Sequence, residues 1–147
     1  MSEYLAKAKQ RLEKFKKSNS KNFHRLGKSV DLIDANESGK FKFKLTVEES
    51  HTNLNGTIHG AYIAFLVDDA TGVALVLSAQ GSWRASASIG MNINYVRTAK
   101  VGDVITVETE CKKVGSTLAF LEATILNAEG EIIATATHSK YIGKSKL

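Results

Sequence analysis

Two groups of residues in this chain could do chemistry, and one continuous stretch holds both. The polar loop His51-Thr52-Asn53-Leu54-Asn55-Gly56-Thr57-Ile58-His59-Gly60 runs directly into the apolar segment Ala61-Tyr62-Ile63-Ala64-Phe65-Leu66-Val67-Asp68-Asp69-Ala70-Thr71-Gly72-Val73-Ala74-Leu75-Val76-Leu77. If the segment is a helix, its first backbone N–H groups have no intrahelical partner, and its dipole adds partial positive charge at that end. Gly60 has no Cβ and leaves the approach to those N–H groups open. Asn53 could add a side-chain amide N–H. Such donors suit a carbonyl oxygen that gains negative charge during a reaction. The same residues also fit a structural reading, in which Gly60 allows close packing and Asn53 makes a turn.

The second group is Asp68-Asp69, in the middle of the apolar run. Burying a carboxylate without a partner is costly, so the pair requires an explanation. Adjacent helical residues point about 100° apart, which lets one carboxylate face a cleft while the other points elsewhere. An aspartate in apolar surroundings can serve as general base or nucleophile. Gly60 and Asp68 are eight residues apart, or about 12 Å along a helix axis. Both can hardly reach one carbonyl carbon from the same helix. If they cooperate they come from different copies of the chain, which implies a dimer with a shared site.

Other chemistries lack a pattern. His59 stands at the helix start without an acid or cysteine in motif spacing, which favours an orienting role. His24, His51, His59 and His138 show no metal-ligand spacing. No phosphate-binding loop, dinucleotide fingerprint or nucleophile elbow is present. The single Cys111 excludes an intramolecular disulfide, fits a reducing compartment and reads as a structural thiol.

The elements that must position these groups follow from periodicity. Residues 2–17 place Tyr4, Leu5, Ala8, Leu12 and Phe15 on one helical stripe, with a basic face opposite. Lysine predominates there and Glu3 and Glu13 interrupt it, which argues against a mitochondrial presequence. Residues 18–27 read as a polar connector with a short turn at 23–26. A first strand carries Val30, Leu32 and Asp34 on one side and Asp31, Ile33 and Ala35 on the other. The turn Asn36-Glu37-Ser38-Gly39 leads to Phe41, Phe43, Leu45 and Val47 alternating with polar residues, so the two strands form a hairpin. A buried helix over 59–78 follows, with Gly81 as its cap. Four strands over 85–96, 104–114, 117–127 and 131–142 complete the chain, the last two joined by Ala128-Glu129-Gly130. About six antiparallel strands and one apolar helix have an obvious solution, a sheet wrapped around the helix. Such a sheet keeps open edges that invite pairing with a second copy.

The 147 residues fit one domain, with 43% apolar and 24% charged residues. The net charge of +5 divides as +7 over residues 1–28, −4 over 29–143 and +2 over the last four. The basicity belongs to the ends, which argues against a nucleic-acid surface. The apolar run, broken by two aspartates, falls short of a membrane span, and no secretory signal pattern opens the chain.

The ordered set His51-Thr52-Asn53-x-x-Gly56-Thr57-Ile58-His59-Gly60, Leu66-Val67-Asp68, Ser88-x-x-Met91-Asn92-Ile93-Asn94-Tyr95 and Ala99-Lys100-Val101-Gly102-Asp103 resembles the PaaI-like acyl-coenzyme A thioesterases. It is especially similar to the eukaryotic thioesterase superfamily member two type, over residues 22–143. The resemblance implies an α+β hotdog fold, a curved antiparallel sheet around a central helix, here preceded by the extra segment 1–21. It also implies a homodimer, commonly paired into a homotetramer, and hydrolysis of acyl-coenzyme A to free acid and coenzyme A. By resemblance Asn53 and the Gly60 N–H polarise the thioester carbonyl. Asp68 of the partner copy activates the attacking water or attacks directly, Ser88 helps hold that water and His59 supports the loop. Asp69 is then the expendable neighbour. Coenzyme A would lie along Tyr95, Val96, Arg97, Thr98, Ala99 and Lys100, along Lys113, Val114, Gly115, Ser116, Thr117 and Leu118, and near Tyr141, with Arg97, Lys100, Lys113 and Lys140 meeting its phosphates. It would be part of the substrate, so no separate cofactor and no metal are expected. Ala61, Gly90 and Thr98 depart from residues frequent in the family, a glycine, an acid and a proline respectively. A non-catalytic acyl-coenzyme A binder and a hotdog enoyl-coenzyme A hydratase are the alternatives.

Residues 144–147 read separately. Ser145-Lys146-Leu147 matches a receptor-read peroxisomal address, which sets the expected localisation and an import receptor as a partner, with cytosol or mitochondrion as alternatives.

Overall fold

The structure is a computed structural model that describes residues 2–18, 21–78 and 86–143. The Gly81 cap and the Ser145-Lys146-Leu147 tail lie outside the described residues. The elements run α1 (Glu3–Ser18), a 3-10 helix (Phe23–Gly27), β1 (Asp31–Ala35), β2 (Lys40–Thr46), a second 3-10 helix (Glu49–His51), α2 (Gly60–Leu77), β3 (Ala87–Tyr95), β4 (Val104–Val114), β5 (Leu118–Leu126) and β6 (Ile132–Tyr141). The six strands form one antiparallel sheet in the order β1-β2-β4-β5-β6-β3. This is the helix-wrapping sheet that the periodicity predicts, the hotdog arrangement.

The period-two strands bury one face each. Phe41, Phe43 and Leu45 of β2, Ile105 and Val107 of β4, and Ala119, Leu121, Ala123 and Ile125 of β5 point inward. β1 departs from simple alternation. Its register shifts between Leu32 and Asp34, so Leu32 and Ala35 are the buried positions and Asp34 is exposed. An extra residue in one strand reverses which side chains face the core.

α2 lies in the curve of the sheet, packed most extensively on β4. Leu66, Val67, Thr71 and Ala74 are each no more than 1% exposed. By length and composition α2 does reach what a membrane span needs, contrary to the expectation from its broken apolar run, but 61% of it is buried inside the domain, the setting of a core helix. The helix ends at Leu77 with Ser78 as its C-cap.

α1 packs its Leu5, Ala8 and Leu12 stripe against β1 and α2. Its basic face is more than solvated surface. Arg11 donates to the Val76 carbonyl at 2.8 Å and the Leu77 carbonyl at 3.4 Å, and Tyr4 Oη donates to the Leu77 carbonyl at 3.1 Å. Terminal helix carbonyls have no intrahelical donor, and a cation at that end complements the dipole. Replacing Arg11 with methionine should lower unfolding stability by about 1–2 kcal/mol in urea titration, whereas the same change at exposed Lys9 should stay within about 0.5 kcal/mol.

Candidate active site

Asp68 lies partway along α2 and its side chain is 50% exposed, on a helix that is otherwise mostly buried. Two donors converge on one of its oxygens. Oδ1 accepts from Ser88 Oγ at 3.1 Å and from Lys140 Nζ at 3.0 Å, and lies 3.7 Å from His138 Nε2. Oδ2 has no hydrogen-bond partner among the described residues. Burial pushes the Asp68 carboxyl up, but the Lys140 ammonium, followed by Ser88 and His138, more than offsets this and holds it below the usual carboxylate value. Asp68 is therefore an anion with one oxygen tied and one free.

Behind this contact runs a buried chain of polar groups. His138 is 1% exposed, with Nε2 2.9 Å from Ser88 Oγ and Nδ1 2.7 Å from Thr71 Oγ1. Lys140 also donates to Ser88 Oγ at 3.2 Å. An ionised carboxylate only accepts, so the single Ser88 proton goes to Asp68. His138 Nε2–H then donates to Ser88, and Nδ1, without a hydrogen in the neutral ring, faces Thr71 Oγ1, whose one proton is shared between it and the Val67 carbonyl at 2.7 Å. Burial pushes the His138 imidazole down to about 4, Lys140 pushes the same way and Asp68 opposes. The ring is neutral near pH 7, as this one-proton arrangement requires.

A bulge aligns these groups. Ser88 pairs with Lys140 and Gly90 with Ser139, so Ile89 is an extra residue in β3. Met91 pairs with His138. In a regular strand Ser88 would face away from His138, because side chains alternate. The inserted residue turns Ser88 onto the face that carries His138 and Lys140. Gly90 sits beside the bulge, and a Cβ there would meet nothing within 4 Å.

Asp69 has a different neighbour. Its side chain is 12% exposed and its Oδ1 lies 2.6 Å from His24 Nδ1 of the first 3-10 helix. Burial pushes its carboxyl up, and His24 counters only in part. A Cβ at Gly27 would stand 2.6 Å from Asp69 Oδ2. Asp69 thus ties α2 to the N-terminal segment. A cleft of about 320 Å³ spans both aspartates, with Ser88 and Lys140 on one side and Phe15, Val73 and Val76 as apolar wall.

The loop-to-helix junction is a separate place. Asn53 Oδ1 accepts from the Asn55 N–H at 2.9 Å, and Nδ2 donates to Thr57 Oγ1 at 3.0 Å, which leaves one amide hydrogen uncommitted. Gly56, at φ +70°, closes this turn. His59 is the N-cap of α2, its Nδ1 accepting from the Ala61 N–H at 2.9 Å. The Gly60 N–H has no partner among the described residues. The Tyr95 ring lies beside Gly60 and its hydroxyl donates to the Gly60 carbonyl at 3.3 Å.

The structure therefore joins Asp68 to Ser88, and Asn53 and His59 to the Gly60 end, but it does not join the two sets within one chain. The residues expected along coenzyme A divide likewise. Tyr95, Val96, Arg97, Thr98 and Lys100 are exposed near the Gly60 end, while Ala99 is buried, its carbonyl accepting from the Ile58 N–H. Arg97 is engaged with Glu131 and the Ile132 carbonyl. Lys113, Gly115, Ser116, Thr117 and Leu118 are exposed and Val114 half-buried at the β4–β5 hairpin, next to Tyr141. Lys140, expected on a phosphate, is 5% exposed and bound to Asp68 instead. Burial pushes the Cys111 thiol up to about 11, which makes it unreactive. No group of three or more His, Cys, Asp or Glu side chains among the described residues could hold a metal ion.

Residues 55–134 match the family model described as Thioesterase superfamily. The chain belongs to the thioesterase superfamily. It is 38% identical over 125 residues to acyl-coenzyme A thioesterase 13 of Homo sapiens, covering 84% of this chain and 87% of that one. The crystal structure of zebra fish thioesterase superfamily member 2 superposes with a TM-score of 0.84 at 35% identity, covering 97% of this chain and 100% of that one. The structure of smu.793 from Streptococcus mutans bound to acetyl CoA gives 0.70 at 25% identity, covering 80% and 91%. The member two type expected from the motifs is thus among the relatives of this superfamily member.

Thr71 and His138 were not singled out from the sequence. The available signal was on β6, where Ala134 and Ala136 share the inward face with His138 and Lys140, two polar residues on an apolar stripe. The unfolded imidazole binds its proton near pH 6.5 and the folded one only near pH 4. Between these values the unfolded state holds more protons, so stability falls as pH falls through this window. Asp69, with its raised value, acts in the opposite sense above pH 3.8. Urea midpoints measured from pH 7 to 4 should therefore fall more steeply in the parent than in His138→Gln.

Proposed function

We propose that this chain hydrolyses acyl-coenzyme A thioesters to a free carboxylic acid and coenzyme A. The observation that carries the reading is the half-exposed Asp68 carboxylate, fixed through Oδ1 with Oδ2 free, in a member of a superfamily of thioesterases. The relative from Streptococcus mutans bound to acetyl CoA supports the choice of thioester. The thioester oxygen would accept from the Gly60 N–H and the uncommitted Asn53 amide hydrogen, which stabilises the charge it gains. Asp68 Oδ2 would take a proton from water as its oxygen attacks the carbonyl carbon, or would attack that carbon itself. The carbon–sulfur bond then breaks and the thiolate leaves to be protonated. Where Asp68 itself attacks, water then hydrolyses the acyl–Asp68 anhydride to release the free acid and restore the carboxylate. Ser88, whose proton is committed to Asp68, would act by fixing the carboxylate.

The reaction requires two copies of the chain. β3 is an edge strand, and Ile89, Met91 and Tyr95 on it are 59%, 40% and 55% exposed. Antiparallel pairing of two β3 strands about a two-fold axis near Met91 would set Ser88 of each copy close to Asn94 and Tyr95 of the other. The Asp68 set of one copy then meets the Gly60 set of the other. The coenzyme A segments support the same pairing. Tyr95 lies opposite Ala134 and Ala87 opposite Tyr141, so the two segments stand at opposite ends of β6, about 24 Å apart at about 3.4 Å per residue. Two-fold pairing would bring the ends together from different copies. A homotetramer would repeat this dimer.

Asp68→Asn should cut thiol release from acyl-coenzyme A by about 10²–10⁴-fold with an unchanged circular dichroism spectrum. An unaffected rate would sink the mechanism, and saturable binding without release in the parent would favour the non-catalytic binder. Asn53→Ala should also be nearly inactive. Co-refolding the two variants should restore about a quarter of the parent rate, because half of the dimers would hold one intact shared site. No recovery would mean that each site lies within one chain.

A further inference from the structure

Lys140 is a cation largely removed from water, at 5% exposure. An ammonium is not buried without charge and hydrogen-bond partners. Its partners are Asp68 Oδ1 at 3.0 Å and Ser88 Oγ at 3.2 Å, and both belong to the proposed catalytic set. Gly72, one turn beyond Asp68 on α2, faces the lysine, and a Cβ there would lie 3.7 Å from Nζ. The charged and titratable groups around Asp68 are few: Lys140 and neutral His138 from β6, and Asp69 from α2 with His24 held on Asp69. Lys140 is the one ammonium that touches Asp68 among the described residues.

We infer that Lys140 is a positioning residue of the thioesterase reaction: its ammonium holds Asp68 by Oδ1 as an anion and leaves Oδ2 as the oxygen that acts on water or substrate. A carboxylate free to rotate would present either oxygen. Lys140 and Ser88 meet the same one and so fix the plane of the group. The anion is needed whether Asp68 is base or nucleophile, so the role does not depend on that choice. The lysine disfavours the protonated acid and thereby extends the working range of Asp68 to lower pH. This inference rests on the thioesterase reading above. It takes Lys140 out of the phosphate-binding set.

The test compares kcat and KM across pH for the parent, Lys140→Met and Lys140→Arg as folded full-length proteins. Loss of the ammonium should move the acid limb of kcat upward by about 1–3 pH units, the size of shift that an adjacent opposite charge exerts. KM for the acyl-coenzyme A should change little. Lys140→Arg, which keeps a charge, should leave the limb near that of the parent. An unmoved limb with a raised KM would overturn the inference and return Lys140 to the phosphates. If Lys140→Met does not fold, carboxyl carbon NMR on the unsubstituted protein decides, with the Asp68 signal identified by its loss in Asp68→Asn. A midpoint below that of free aspartate supports the inference and one at or above it overturns it. Failure of the thioesterase reading would look different, as absence of thiol release from the parent, and the NMR result would still stand.

Discussion

The ion pair between Asp68 and Lys140 is the contact on which the rest of the site depends. It joins residues 72 apart in sequence, a half-exposed carboxylate on the core helix and a buried ammonium on a strand, and the ammonium would not be stable in that setting alone. An unpaired ammonium or carboxylate removed from water is expensive. The pair constrains the rotation of α2 against β6, and Ser88, which meets both charges, adds the register of β6 against β3 and the bulge at Ile89. A one-residue slip of β3 would turn Ser88 away from the lysine and leave both charges short of a partner. The site chemistry and the strand pairing therefore specify each other.

The rotation of α2 decides which of two adjacent carboxylates reaches the cleft. Six contacts set it. His59 and the strand-like pairing of Thr57 with Lys100 fix the N-terminal end, and Arg11 and Tyr4 of α1 fix the C-terminal end. Thr71 is held by His138, and Asp69 by His24. The N-terminal segment is thus part of the device that points Asp68, although it contributes no group to Asp68 itself. Asp69 helps to orient its neighbour rather than duplicating it.

The alternation of Phe41, Phe43 and Leu45 and the apolar run of α2 made the hairpin and the core helix legible in the sequence, because one buried face imposes a period. Asp68 was legible for the opposite reason: a carboxylate in an apolar run has few structural explanations. The Gly60 junction was legible as one of two readings, a carbonyl-oxygen site or close packing, and Ser88 became legible only through the resemblance to a family. Thr71, His138 and the true place of Lys140 were not legible. Thr71 lies one turn along α2 from Asp68, and His138 and Lys140 meet the site through the packing of β6 on α2. Ser88 joins them only because of an extra residue that leaves no mark in the pattern Ala87-Ser88-Ile89-Gly90-Met91. A lysine near the end of a strand reads as surface until the strand opposite is known. The β1 bulge misled in the same way, exchanging Asp34 for Ala35 on the buried face.

The two edges of the sheet are treated differently, and the difference bears on the proposed dimer. β1 carries Asp31 and Asp34 on its exposed side and lies under α1. Charge and a covering helix are the usual means of blocking edge-to-edge pairing. β3 has neither. Its nine residues contain no charged side chain and no proline, and Ile89, Met91 and Tyr95 stand exposed along it. An apolar edge without protection is a liability in a chain that stays single, whereas in an isologous pair it becomes the interface. The edge left open is also the strand that carries Ser88 at one end and Tyr95, against Gly60, at the other. The proposed two-fold pairing there would serve two requirements at once: it would cover the edge, and it would set a helix start beside a carboxylate that lies about 12 Å away along the same helix and so is out of reach within one chain.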